Sequence, residues 1–131
     1  MCSMQPATSE WVEKAEADFI TAMREFRARK HPNYDAACFH AQQCAEKYLK
    51  AWLQENNISF GKTHDLIRLL SLMPSVQSLE ALRPDLAMLT AAAVEFRYPG
   101  ESATRSNAKE AINTCIALRR EIRHLLQRCS D

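Results

Sequence analysis

Residues 34–53 read YDAACFHAQQCAEKYLKAWL, and the way polar side chains are distributed along them decides the fold. Gln42, Gln43, Glu46, Lys47 and Lys50, with Gln54 just beyond, recur at helical spacing along one side. Around the rest lie Ala37, Cys38, Ala41, Cys44, Ala45, Tyr48, Leu49, Trp52 and Leu53, an apolar arc wider than a surface helix needs to cover one neighbour. Such a helix belongs in the middle of a bundle.

Working outward, the same 3.6-residue period marks the other elements. Trp11, Val12, Ala15, Phe19, Ala22, Met23 and Phe26 form the apolar face of a preceding helix, which Ser9 can cap and which runs to about Arg29. Pro32 breaks the chain, and Asn33 or Asp35 caps the helix that follows, which extends to about Glu55. Thr63 is placed to cap a short helix over 66–72, with Asp65 at the positive end of its dipole. After a linking segment, Pro84 sits in the tolerated first turn of a helix through Leu86, Leu89, Ala93 and Phe96. Tyr98-Pro99-Gly100 stops it. A last helix starts with Asn107 and Glu110 at capping-box spacing and turns Ala111, Ile112, Cys115, Leu118 and Ile122 inward. The expected fold is all-α, an up-down-up-down four-helix bundle with an additional short helix.

Composition agrees. The chain has 131 residues, two glycines and 47% hydrophobic residues, enough for one core and few hairpin turns. Residues 1–8 (MCSMQPAT) lack periodicity and are expected to be a disordered tail, leaving 9–131 as one helical domain. Five cysteines, with no C-x-x-C pair, argue for reduced thiols rather than a disulfide framework. No run approaches the roughly 18 to 20 apolar residues of a membrane span, so the expectation is a cytoplasmic protein without membrane contact. A formal net charge of +1 excludes a polycation that gathers nucleic acid by its overall field. The local exception is the last helix, where Arg119, Arg120, Arg123, His124 and Arg128 crowd the final turns. Cations there also favour the helix dipole.

One resemblance spans nearly the whole chain, from about Trp11 to Leu126. A helix carrying Ala37, Gln42, Gln43, Ala45, Glu46, Lys47, Leu49 and Lys50, then Lys62-Thr63-His64-Asp65-Leu66, then Arg97-Tyr98-Pro99, resembles the HEPN family of small prokaryotic helical domains. The resemblance implies a homodimer with the Arg97 loops facing a shared cleft. It also implies a small nucleotidyltransferase as partner in a toxin–antitoxin-like or nucleotide-linked pair. Alternatives are a nucleotide- or anion-binding module without catalysis, or a metal-independent endoribonuclease.

Family members that cut RNA resemble one another in an Arg and a His with about four to six residues between them, a permanent planar cation for phosphate beside a group that moves protons near neutral pH. Arg97 is the candidate here, but the positions where the His would fall are Ser102, Ala103 and Thr104. No catalytic residue is therefore assigned, and nuclease activity is doubtful. The ligand or partner surface is expected at Gln43, Glu46, Lys47, Lys50, Lys62, His64, Arg97 and Tyr98, with RNA or a nucleotide as candidate ligand. His64 has two readings, donor to an anion beside Lys62 or local brace of its loop. Glu46 and Lys50, at i,i+4, read by default as a solvated pair worth roughly 0.3–0.5 kcal/mol. His40 and Cys44 are one i,i+4 pair and do not make a metal site, so no metal or cofactor is expected.

Overall fold

The computed structural model describes residues 4–127, which form six helices and no strand. They are α1 (Pro6–Arg27), α2 (Tyr34–Glu55), α3 (Leu66–Ser71), α4 (Gln77–Glu80), α5 (Arg83–Glu95) and α6 (Arg105–Gln127). The four longer helices pack as a bundle, with α2 touching α1, α3, α5 and α6. Side-chain contacts fix their directions. Gln5 at the start of α1 meets Glu55 at the end of α2, Asp35 at the start of α2 meets Ala103 just before α6, and Arg97 just after α5 lies over Phe39. The path is up-down-up-down.

The broad apolar arc of α2 is the reason it lies inside. Ala37, Cys38, Ala41, Cys44, Tyr48, Leu49 and Leu53 are all fully buried. Small side chains in its first half let neighbouring helices approach, and the larger Tyr48, Leu49 and Leu53 fill the other half. Each fully buried Leu contributes about 1.5–3 kcal/mol relative to exposure.

Four boundaries differ from the sequence expectation, each for a tertiary or capping reason. First, α1 begins at Pro6, so residues 5–8 are not part of a tail: Thr8 is buried and its hydroxyl donates to Glu55 Oε1 at 2.9 Å, which also accepts the Gln5 amide at 3.0 Å. The earlier residues of that segment, 1–3, lie outside the described ones. Second, Asp65 rather than Thr63 caps α3, accepting from the amides of Ile67 and Arg68, while the Thr63 hydroxyl accepts from the Asp65 amide. Third, the linking segment contains α4, whose Leu79 is fully buried, so there are two short helices. Fourth, Thr104 precedes α6 and forms the box with Asn107: the Asn107 amide donates to Thr104 Oγ1 at 3.1 Å, and Asn107 Oδ1 accepts from the Thr104 amide at 2.9 Å. Of the two candidate caps of α2, Asn33 serves, accepting from the Ala36 amide at 2.9 Å.

Candidate functional site

The polar stripe of α2 is not a solvated face. Glu46 and Lys50 are 3% and 5% exposed, and Lys50 Nζ donates to Glu46 Oε2 at 3.1 Å. Trp11 of α1 and Phe60, packed edge to face at 6.0 Å, lie 5.5 and 5.7 Å from that ammonium. A carboxylate and two ring faces thus replace its water. The other oxygen of Glu46 meets His64 Nδ1 at 3.0 Å, and the Gln42 amide donates to the His64 carbonyl at 2.8 Å. The KTHDL segment is therefore braced onto α2 by His64, while Lys62 is exposed. Gln43, half-buried, donates to Gln42 Oε1 at 2.9 Å.

One turn nearer the start of α2 stands a second carboxylate-centred group. Asp18 of α1 is almost buried; its Oδ2 accepts from Lys47 Nζ at 2.5 Å and its Oδ1 faces His40 Nδ1 at 2.7 Å. A carboxylate against Nδ1 favours the tautomer with the proton there, leaving Nε2 as an acceptor. The His40 side chain is 29% exposed. Its ring packs edge-on against Phe39 at 5.2 Å between centroids.

Phe39 also carries Arg97. The guanidinium carbon lies 5.7 Å from the ring centroid, and Arg97 is exposed. No ion pair among the described residues includes it. Tyr98, next to it, is 63% exposed, and Gly100 takes φ +95°, which L side chains rarely adopt. The loop then returns to α2, where Asp35 Oδ1 accepts from the Ala103 amide at 2.6 Å. Of the positions where the family's His would fall, Ser102 is exposed, Ala103 has no functional side chain, and the Thr104 hydroxyl is engaged in the α6 cap. This loop supplies a cation and no histidine.

Two cations of α6, Arg119 and Arg123, are engaged inside the bundle. Arg119 donates through Nε and Nη2 to both oxygens of Glu16, each at 2.7 Å, and stacks over Phe19 at 4.4 Å. Tyr48 donates to the same carboxylate, and Arg123 donates to the Tyr48 oxygen at 3.1 Å. The Arg119 hydrogen bonds hold the Glu16 carboxyl below its ordinary range against the opposing effect of burial. Burial, then the neighbouring Glu16, pushes the Tyr48 phenol up. Arg120 and His124 are exposed, and Arg128 lies outside the described residues.

Among the described residues no group of three or more His, Cys, Asp and Glu is placed to hold an ion. Cys44, paired with His40 by spacing alone, instead faces Cys115, and that thiol contact together with burial raises its pKa. Burial pushes the Cys38 thiol up to about 11, aided by the charge of Asp35.

The structure divides the eight residues expected at the surface site three ways. Glu46 and Lys50 are interior, Gln43 and Lys47 are half-buried, and Lys62, His64, Arg97 and Tyr98 are exposed. Sequence reasoning missed Phe39, Asp18 and the orienting contact on His40. Asp18 is 22 residues from His40 on another helix, so no local spacing signals the pair.

The HEPN domain profile matches residues 8–125. This chain belongs to the HEPN domain family. The structure of TT1696 from Thermus thermophilus is similar at a TM-score of 0.77 and 22% identity, covering 92% of this chain and 98% of that one. ST0689, an archaeal HEPN homologue, is similar at a TM-score of 0.73 and 25% identity, covering 90% of this chain and 96% of that one. No functionally curated protein matches the sequence. Among the described residues of this HEPN protein, no helix is long and apolar enough to cross a membrane.

Proposed function

We propose that this HEPN protein is a binding member of its family: it takes a phosphate-bearing ligand, a nucleotide or RNA end, at Arg97 and serves as the helical partner of a small nucleotidyltransferase in a two-component, toxin–antitoxin-like pair. The observation that supports this reading is the state of Arg97. Its guanidinium is exposed, has no carboxylate partner among the described residues and is held over Phe39. A planar cation without an internal partner keeps its donors for an anion. The loop behind it lacks the histidine with which such an arginine would cut RNA.

Two measurements test it. Nucleoside di- and triphosphates raise the melting temperature of the wild type in a thermal-shift titration, because a ligand bound only by the folded form stabilises it. They leave Arg97→Ala unmoved. The product of a neighbouring nucleotidyltransferase gene co-purifies with the tagged chain. A wild type indifferent to every nucleotide, together with no such neighbour or no co-purification, sinks the proposal.

His40 supports a second reading, a metal-independent endoribonuclease. Its Nδ1 is held by the nearly buried Asp18 and its ring touches the phenylalanine on which Arg97 rests. That arrangement orients an imidazole as a proton acceptor next to a phosphate-binding cation. Labelled RNA incubated in chelator decides: this reading requires cleavage by the wild type and its loss in both Arg97→Ala and His40→Ala.

A further inference from the structure

The loop that follows α5 has a cation at each end. Arg97 opens it over Phe39, and Arg105, the first residue of α6, closes it with its guanidinium carbon 5.0 Å from the centroid of Phe26. Both arginines are exposed, and neither is ion-paired among the described residues. The loop between them is pinned to the start of α2 by Asp35, which accepts from the Ala103 amide. Phe26 in turn packs on Tyr34, the first residue of α2, at 6.3 Å between centroids. Phe39 lies five residues further along α2, about 7.5 Å at the helical rise of about 1.5 Å per residue. The two stacked guanidiniums are thus tied to different turns of one helix and do not form a single cradle.

Fold stability does not call for Arg105. It stands in the first turn of α6, which carries no acidic residue, where the positive end of the helix dipole disfavours a cation and favours an anion. Arg24 and Arg27, in the last turn of α1, have the opposite and favourable placement. They nevertheless bring more positive charge to the same end of the bundle, because α1 ends beside the start of α2, and Arg29 and Lys30 follow them in the connection. All four are exposed and outside any ion pair among the described residues. The carboxylates of these segments are Glu25, Asp35, Glu95 and Glu101, and Asp35 is engaged with the loop amide. A chain whose formal net charge is only +1 therefore gathers exposed cations at one end.

We propose that Arg105 is a second phosphate-binding residue, which extends the Arg97 site into a track for the backbone of a single-stranded nucleic acid. The inference rests on phosphate binding at Arg97. Each guanidinium offers its planar donors to a different phosphate, and the basic stretch 24–30 adds an attraction that needs no contact with bases. Phe26 and Phe39 are covered by the arginines, so affinity comes from the backbone rather than from bases stacked on those rings. A lone nucleotide meets only the Arg97 end of the track.

Fluorescence anisotropy with labelled twelve-nucleotide oligouridylate and oligodeoxythymidylate provides the test, on wild type, Arg105→Ala and Arg97→Ala. Far-UV circular dichroism confirms that both variants stay helical, since both positions are at the surface. Arg105→Ala is expected to weaken both strands about fivefold at low salt and to flatten the slope of log affinity against log salt by about 0.7, the value of one phosphate contact on a single strand. It leaves in place the nucleotide-induced thermal shift, which Arg97→Ala removes. Unchanged strand affinity and slope in Arg105→Ala overturn the proposal. So does loss of the nucleotide shift in that variant, which would make Arg105 part of a single compact site, or an effect confined to oligouridylate, which would put the ribose hydroxyl rather than phosphate at Arg105. A wild type without any nucleotide shift, whose strand binding ignores Arg97→Ala, instead overturns the Arg97 reading beneath it.

Discussion

Arg119 and Arg97 each lie over a phenylalanine ring, Phe19 and Phe39 respectively, yet their electrostatic surroundings are opposite. Arg119 spends two donors on Glu16 and is bound into a chain that continues through Tyr48 to Arg123. Arg97 has the ring and, among the described residues, no carboxylate. The first is a structural tie between α1, α2 and α6; the second is an exposed cation over an aromatic ring. Clustering in sequence therefore says little about which cations are paired. The crowded arginines of α6 are partly neutralised from a helix about a hundred residues earlier, and the isolated one is not.

Substitutions should accordingly sort by whether they remove a neutralised charge or a free one. The largest effect is expected in the interior. Glu46→Ala strands the Lys50 ammonium beneath Trp11 and Phe60 and should cost about 3–5 kcal/mol in urea denaturation. Adding Lys50→Met to Glu46→Leu should recover most of that loss. Arg119→Ala should cost about 2 kcal/mol, because a bidentate charge-assisted bond is lost and Glu16 keeps only Tyr48 and the more distant Arg123.

Acid sharpens the same comparison. Arg119 lowers the Glu16 pKa from its ordinary 4.5, so this contribution is complete above that pH and disappears as pH falls through the lower folded value. The melting-temperature gap between wild type and Arg119→Ala should therefore be widest near neutrality and close progressively below about pH 4.5. Arg97→Ala should alter stability least, by under about 0.5 kcal/mol, as a surface substitution that breaks no ion pair. It should nevertheless remove the nucleotide-induced thermal shift. An Arg97→Ala protein as destabilised as Arg119→Ala would erase the distinction.

Much of the fold was legible because it follows from one periodicity. The wide apolar arc of Ala37 to Leu53 announces a central helix, and the chain places it against four others. Caps were legible in kind more than in position. For α2 the sequence left Asn33 and Asp35 open and the structure uses Asn33, and at Thr63–Asp65 and Thr104–Asn107 several capping side chains likewise compete within three residues, with backbone geometry selecting among them. Residues 5–8 gave no signal, since their order comes from Glu55 on another helix.

The candidate site was legible by residue type and not by environment. Gln43, Glu46, Lys47 and Lys50 share one helix face, yet one carboxylate there closes over a lysine beneath aromatic rings while Lys47 reaches across to Asp18. Helical spacing fixes which side chains share a face; it carries no information about what another helix or loop brings to that face. The sequence by itself determined that this chain is a helical bundle built around residues 34–55, because apolar periodicity and burial obey local geometry. Only the tertiary structure decided which charges are satisfied and which are free, because a Coulomb partner acts across space and can come from any point along the chain.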